Sequence, residues 1–338
     1  MKPSDGVWIG VDVGASKVAA YLVVEGGSGP EDELQVAAAH VEVPFETGFC
    51  PEPLEVQLAP VAKGRPIELA PAEREDGERR IEAIARCVAQ VAEAGGAGRF
   101  SLACAAPGRR TADGRGLAVV RNGPRLPELC DRLEQRLIEG GFELSRPVAT
   151  LVGDDVAGAH GELHGEGGAL RAADVGLYVG GGTGVAEALC AEGRVETLGR
   201  LGLAPAYLLR DGAGNLWEDR VSMRALGASA DVPGALAERL FEFLEQRIAA
   251  LAALAPPRRA DTVVLAQSLG RWLAADAGGQ AVATELRARW ESERSVRGVS
   301  LALSTLRAAP ALGAVFLAWR EISRFDHARP DRPSPERL

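Results

Sequence analysis

"WIGVDVGASKV", Trp8 to Val18, is the stretch that decides the fold. Apolar residues alternate up to a single carboxylate, Asp12, and a small-residue turn follows at Gly14, Ala15 and Ser16. "VAAYLVV", Val18 to Val24, then resumes strand composition and runs into the turn chemistry of "EGGSGPEDE". This spells strand, tight turn and antiparallel strand. A dinucleotide-binding unit would place a helix directly after its glycines, and "VAAYLVV" has neither the cap nor the amphipathic spacing for one. A second edition appears in "VGLYVGGGTGVAEALCAEGRV", where strand residues Val175 to Val179 enter Gly180 to Gly184 and apolar residues resume through Leu189. Two such units, roughly 170 residues apart, point to a duplicated half-domain in an α/β protein.

The segments between them fit that class. "RRIEAIARCVAQVAEAGG" sets Ile81, Ile84, Val88 and Val91 on one stripe and stops at Gly95 and Gly96, so it predicts an amphipathic helix. "RFSLACAAPG" predicts a strand entering a Pro-Gly turn, and "LPELCDRLEQRLIEGG" a second helix through Leu126, Leu129, Leu133 and Leu137. His40 to Gly77 is Pro-rich and acidic, which suggests an irregular insertion with one or two strands, "PIELA" among its short apolar pieces. "RPVATLVGDDVAGAHGELHGEGG" predicts a buried strand to Val152, two aspartates and a helix to about Glu166. Later segments read as helices over Leu236 to Leu254, around Leu286 and over Leu312 to Ile322, interrupted by the strand "DTVVLA". With 338 residues, 46% of them hydrophobic, the chain can build two cored lobes, expected at 1–152 and 153–322 before a Pro-rich, charged tail at 323–338.

A net charge of −9 excludes an unaided nucleic-acid surface, which needs a basic footprint. No apolar run approaches the roughly 20 residues that cross a bilayer, and the polar start Met1 to Gly6 does not read as a signal peptide. A cytoplasmic protein with neither nucleic-acid nor membrane partners is expected. The five cysteines are scattered without a CxxC pair, which predicts buried free thiols.

A glycine turn between strands exposes successive backbone N–H groups, a concavity suited to phosphate oxygens. Two of them facing one cleft could grip a nucleotide's phosphates. Asp12 would lie beside those phosphates, a repulsive arrangement unless a cation such as magnesium stands between; the alternative is a residue that caps the turn. In "LVGDDVAG", Asp154 and Asp155 enter a helix start, where one of them could accept a proton from an attacking hydroxyl, and where an N-cap role would account for the other. His160 and His164 are spaced i and i+4, but the glutamate of "HGELH" is misplaced for a zinc-protease helix, so both are expected to be solvated. Lys17 reads as exposed or as a phosphate contact, and Trp217 and Trp319 as core or pocket wall.

"IGVDVGASKVAAYLV", "GDDVAG", "YVGGGTGVAEAL" and "ALGAVFLAW", in this order, resemble the first phosphate motif, catalytic-aspartate motif, second phosphate motif and adenosine-side helix of the acetate and sugar kinase, chaperone and actin superfamily. Within it the likeness is to the ROK family of bacterial sugar kinases. The resemblance implies a two-lobed, duplicated actin-like (ribonuclease H-like) fold with ATP and magnesium in a central cleft, and phosphoryl transfer to the hydroxyl of a sugar, amino sugar or cyclitol. Asp12 would hold magnesium through water. Gly14, Ala15, Ser16 and Lys17 would line the phosphates opposite Gly181, Gly182, Thr183 and Gly184, with Gln267 and Gly313 on the adenosine side. Asp155 best matches the family base, by a D-x-x-G spacing to Gly158, and is the expected one, although counting back from Glu162 favours Asp154. "APGRRTADGRGLAVVRNGP" resembles the substrate loop, with Pro107 and Gly108 at its turn and Asn122 as the amide for sugar hydroxyls, and "NLWEDRVSMRAL" nominates Glu218. A homodimer is also implied.

Two departures from the family pattern stand out. The histidine and zinc-cysteine motif is missing, so no zinc is expected. Ala266 and Gln267 replace a double glycine against the adenosine. A non-catalytic sugar binder with a degenerate nucleotide site is the main rival reading; an activator ATPase or acyl-group enzyme of the same superfamily fits Asn122 and Glu218 less well.

Overall fold

The computed structural model describes residues 7–25, 34–46, 48–294 and 296–327. Its first sheet comprises β1 (Val7–Val13), β2 (Lys17–Glu25), β3 (Leu34–Pro44), β4 (Arg99–Ala105) and the short β7 (Glu143–Leu144), in the order β3-β2-β1-β4-β7. Between β4 and β7 lies a two-stranded ribbon of β5 (Arg109–Arg110) and β6 (Leu117–Val119). The second sheet comprises β8 (Val175–Gly181), β9 (Val185–Ala191), β10 (Arg194–Thr197), β11 (Thr262–Ala266) and β12 (Ser300–Leu303), in the order β10-β9-β8-β11-β12. The two sheets repeat one plan: an antiparallel meander of three strands, then two strands added in parallel on the far side of the first. The duplication expected from the two glycine turns is therefore a duplication of topology.

Ten α-helices surround the sheets among the described residues: α1 (Leu54–Ala62), α2 (Pro71–Ala94), α3 (Leu129–Glu139), α4 (Asp154–His164), α5 (Glu218–Val221), α6 (Met223–Ala228), α7 (Pro233–Ala252), α8 (Gln267–Ala275), α9 (Ala277–Ser292) and α10 (Ala309–His327). The α2 stripe of Ile81, Ile84, Val88 and Val91 is buried against Ile9, Val11 and Leu102 of the first sheet. Leu129, Leu133 and Leu137 of α3 join the same core, each worth about 1.5–3 kcal/mol of transfer free energy. On the second sheet, α7 and α9 bury Leu240, Phe243, Leu244 and Leu286 over Leu177, Val179 and Val263.

Several expectations are corrected. The segment after β3 is not irregular: β3 is a full third strand, α1 follows, and α2 begins at Pro71, ten residues before the stripe that announced it. Proline suits the first helical turn, where its missing N–H has no intrahelical partner anyway. "PIELA" forms no strand. The stretch before the aspartate pair is no strand either; it touches β4 only through the Ala105–Val152 bridge, and Leu151 N–H turns away to Gly114 O. The second glycine run begins inside β8, so the turn proper is Gly182 to Gly184. Part of the tail expected from 323 onward is helix as far as His327, and residues 328–338, like the turn residues 26–33, lie outside the described residues.

A boundary at 152 separates the sheets but not the packing. Helix α10, near the end of the chain, lies with α4 across the first sheet, where Ala311, Leu312 and Val315 meet Trp8, Ala19, Tyr21 and Ala105. The approach is close enough that a side chain at Gly10 would collide with the Ala311 carbonyl, and one at Gly313 with the Ala157 carbonyl. Gly313 thus permits a helix contact and does not line the cleft. His160 and His164 are corrected in the same way: His164 stacks on Phe316 of α10 and His160 packs tilted against the same ring, and burial pushes their pKa values down to about 3 for His160 and about 4 for His164. Cys87, Cys104, Cys130 and Cys190 are buried thiols, whereas Cys50 is exposed.

Candidate active site

Both glycine hairpins open on one cleft of about 650 Å3. In the first, Asp12 pairs with Ala19 and Val13 with Val18, and Gly14 N–H donates to Lys17 O at 2.9 Å. In the second, Gly181 pairs with Val185, and Gly182 N–H donates to Gly184 O at 2.9 Å. The cleft is lined by Asp12, Gly14, Ala15, Ser16 and Lys17 from the first and by Gly182, Thr183 and Gly184 from the second. Asp154, Asp155, Pro107, Gly108, Asn122, Glu218 and Gln267 line it as well. Of the residues nominated from sequence, Gly181 and Gly313 do not; Gly181 sits beneath the turn, against Leu269.

Each hairpin tip is braced by a charged side chain that the sequence did not reveal in that role. Arg80 of α2 donates from Nη1 to Ala15 O at 2.9 Å, is anchored by Asp76 at 3.0 Å and lies over the Phe45 ring. Glu218 accepts the Val185 N–H at Oε2 (3.0 Å), and a side chain at Gly184 would press on the same carboxylate. The other oxygen of Glu218 pairs with Arg121 at 2.7 Å, while Asn122 Oδ1 accepts from Arg224 at 3.4 Å. The loop carrying Arg121 and Asn122 is held from behind: the buried Gln57 of α1 both donates to Val120 O (2.9 Å) and accepts from Val120 N–H (2.8 Å). Arg125 is clamped by Glu73. Gln57 and Glu73 lie 63 and 52 residues from their partners, so no local signal could have announced them.

Charge is graded across the cleft. Asp155, one of the two carboxylates at the start of α4, accepts the Val156 N–H at 2.7 Å, and Arg110 is its stabilising charge; burial still raises its pKa. Asp154 is raised furthest, by burial first and then by the negative charges of Asp155 and Asp12. Asp12 is raised to about 6 by burial, against the pull of Lys17 and Arg271. Lys17 itself is paired with Glu42 at 2.6 Å. Gln267, also on the cleft wall, adopts φ 56°, a left-handed backbone that favours glycine.

The raised Asp12 carries a stability consequence. The folded state retains its proton between the unfolded value of 3.8 and about 6, so stability falls as pH rises through that window and the full penalty applies above it. Asp12→Asn is expected to raise the Tm of the ligand-free protein at pH 7.5 by about 1.5–3 °C, on the order of 1–2 kcal/mol, with the gain vanishing near pH 4. Calorimetric scans at the two pH values check this.

No protein-family model matches the sequence, and no curated protein does. Solved structures do match. The inorganic polyphosphate/ATP-glucomannokinase of Arthrobacter sp. strain KM aligns over 94% of this chain and 100% of its own, with a TM-score of 0.62 at 15% identity. A ROK family glucokinase from Streptomyces griseus, solved with glucose and AMPPNP, aligns over 93% and 100%, with a TM-score of 0.58 at 21% identity. The chain has the ROK kinase fold. The ROK hexokinase of Thermus thermophilus agrees, over 94% and 99%, with a TM-score of 0.55 at 20% identity. Against the ROK fold the two sheets are the halves of the actin-like architecture. Among the described residues no helix is long and apolar enough to cross a membrane.

Proposed function

We propose that the protein is an ATP- and magnesium-dependent phosphotransferase acting on a hydroxyl of a sugar, amino sugar or cyclitol. The observation that carries this reading is the convergence of two amide-lined hairpins, Asp12 and the aspartate pair on one cleft. Glucose and AMPPNP in the Streptomyces protein, and the polyphosphate and ATP donors named for the Arthrobacter one, support the donor and acceptor classes.

Magnesium is usually held by one or two carboxylates together with phosphate oxygens, and Asp12, beside the first hairpin, fits that donor set. Bound there, it would supply charge neutralisation for the phosphates. The hairpin N–H groups of Ala15, Ser16, Thr183 and Gly184, which lie between the turn-closing bonds, orient the donor. Asn122 and Glu218, beside Pro107 and Gly108, face the acceptor, and the Arg121 pair fixes the Glu218 carboxylate in place.

Asp154 is the better base of the pair. Asp155 accepts the Val156 N–H and is offset by Arg110, whereas Asp154 has no such cation acting on it and is raised further by the charges of Asp155 and Asp12. A raised carboxylate is a stronger base once ionised, and a pKa near the working pH is what proton removal favours. Asp155, which the D-x-x-G spacing nominates, positions the helix start.

A coupled assay with magnesium ATP over a sugar and cyclitol panel is expected to find at least one acceptor. Calorimetry that detects sugar binding but neither ATP binding nor turnover would replace this reading with the non-catalytic one.

A further inference from the structure

Two cations on the cleft wall have no place in the reading so far. Arg271, one turn into α8, and Arg307, in the segment before α10, both line the cavity. Arg271 Nη2 donates to Ser268 Oγ at 3.0 Å, and among the described residues neither guanidinium has a carboxylate within ion-pair distance. Lys17 and Arg121 on the same wall are each paired with a glutamate. Burial lowers the Arg271 pKa and the neighbouring, exposed Arg307 lowers it further, against the pull of Tyr21, Glu42 and Asp12. An anion entering beside the two guanidinium groups would offset their mutual repulsion.

The position of the pair follows from the backbone and from the charge gradient. Gln267, which opens α8, bridges in parallel to Gly181, so Ser268 and Arg271 continue directly from the second hairpin. Arg110 is the cation that acts on Asp155, whereas Arg271 acts on Asp12 together with Lys17. Arg271 therefore stands on the hairpin side of the cleft, near Asp12 and Lys17, with Arg307 beside it. A guanidinium offers a planar fork matched to phosphate oxygens, which a lysine does not.

We propose that Arg271 and Arg307, with the Ser268 hydroxyl, form a phosphate subsite that holds the donor's phosphoryl group one or more places behind the one transferred. The proposal rests on the phosphotransferase reading and adds the recognition of the rear of the donor. Such a group is present both in a nucleoside triphosphate and in inorganic polyphosphate.

The test is titration calorimetry on the full chain with magnesium ATP and, separately, magnesium tripolyphosphate. The double variant R271Q/R307Q is expected to bind the donor roughly 10–100-fold more weakly at an unchanged Tm, the loss of hydrogen bonds to a charged group. R271K/R307K, which keeps charge and bulk but not the fork, should fall between and guards against a folding defect. Weakening for both ligands supports a subsite that reads phosphate in either donor. Weakening for ATP alone, with no tripolyphosphate binding by the unaltered protein, supports it with a nucleotide as the source. Folded double variant with unchanged affinity for both ligands overturns the proposal while leaving the phosphotransferase reading intact. Failure of the unaltered protein to bind either ligand removes that reading and the subsite with it.

Discussion

Asp154→Asn is expected to lower kcat about a thousandfold while sugar and nucleotide affinities stay within a factor of about three, because the substitution removes proton acceptance and little else. Asp155→Asn should cost far less, about tenfold, through a loosened start of α4 where Asp155 holds the Val156 N–H. The contrast separates the two acids, which spacing alone could not. The pH profile provides a second readout. The base must be ionised to act, and burial with two negative neighbours raises Asp154 well above the ordinary carboxylate range. The rate of the unaltered enzyme should therefore fall as pH drops through the region near neutrality, not near pH 4, and this limb should disappear from the residual activity of Asp154→Asn. Equal losses at the two positions, or full activity of Asp154→Asn, would overturn the assignment.

Arg247→Leu is expected to be the most destabilising single change in the second half. Arg247 is among the largest fully buried side chains, and its guanidinium meets Glu187 through two bonds of 2.6 Å. Glu187 also accepts the Ala206 N–H at 2.8 Å. Removing the cation leaves a buried carboxylate whose pKa is already raised by burial and by Glu218. Breaking one side of such a pair costs about 3–5 kcal/mol, or roughly 4–7 °C in Tm. The double change Arg247→Leu with Glu187→Leu should recover most of the loss, since two apolar side chains leave no stranded charge. Thermal scans of the single and double variants measure the difference. Because Glu187 and Pro205 both line the cleft, the single variant should also weaken acceptor binding.

The regularities visible in the sequence are those that depend on neighbours along the chain. Alternation on either side of a small-residue turn predicts a hairpin from Trp8 to Val24 because strand side chains alternate faces and a glycine turn needs no partner elsewhere. The same holds for β8 and β9, and for the apolar stripes of α2 and α3. Two hairpins of one type were enough to predict duplication, and Asp12, Asp154 and Asp155 could be nominated because each stands where a strand or helix begins or ends.

What only the tertiary structure decided is every relation between distant segments. Helix α10 returns across the first sheet and buries His160 and His164, which local reading left in solvent. Gly313 serves a helix crossing because the Ala157 backbone, 156 residues earlier, comes against it. Arg80 and Glu218 brace the hairpin tips from remote helices, and Arg271 and Arg307 meet only when α8 and the segment before α10 converge. Turn and strand preferences are set over a few residues by local sterics, whereas burial, charge pairing and the shift of a carboxylate's pKa depend on which surfaces the folded chain brings together.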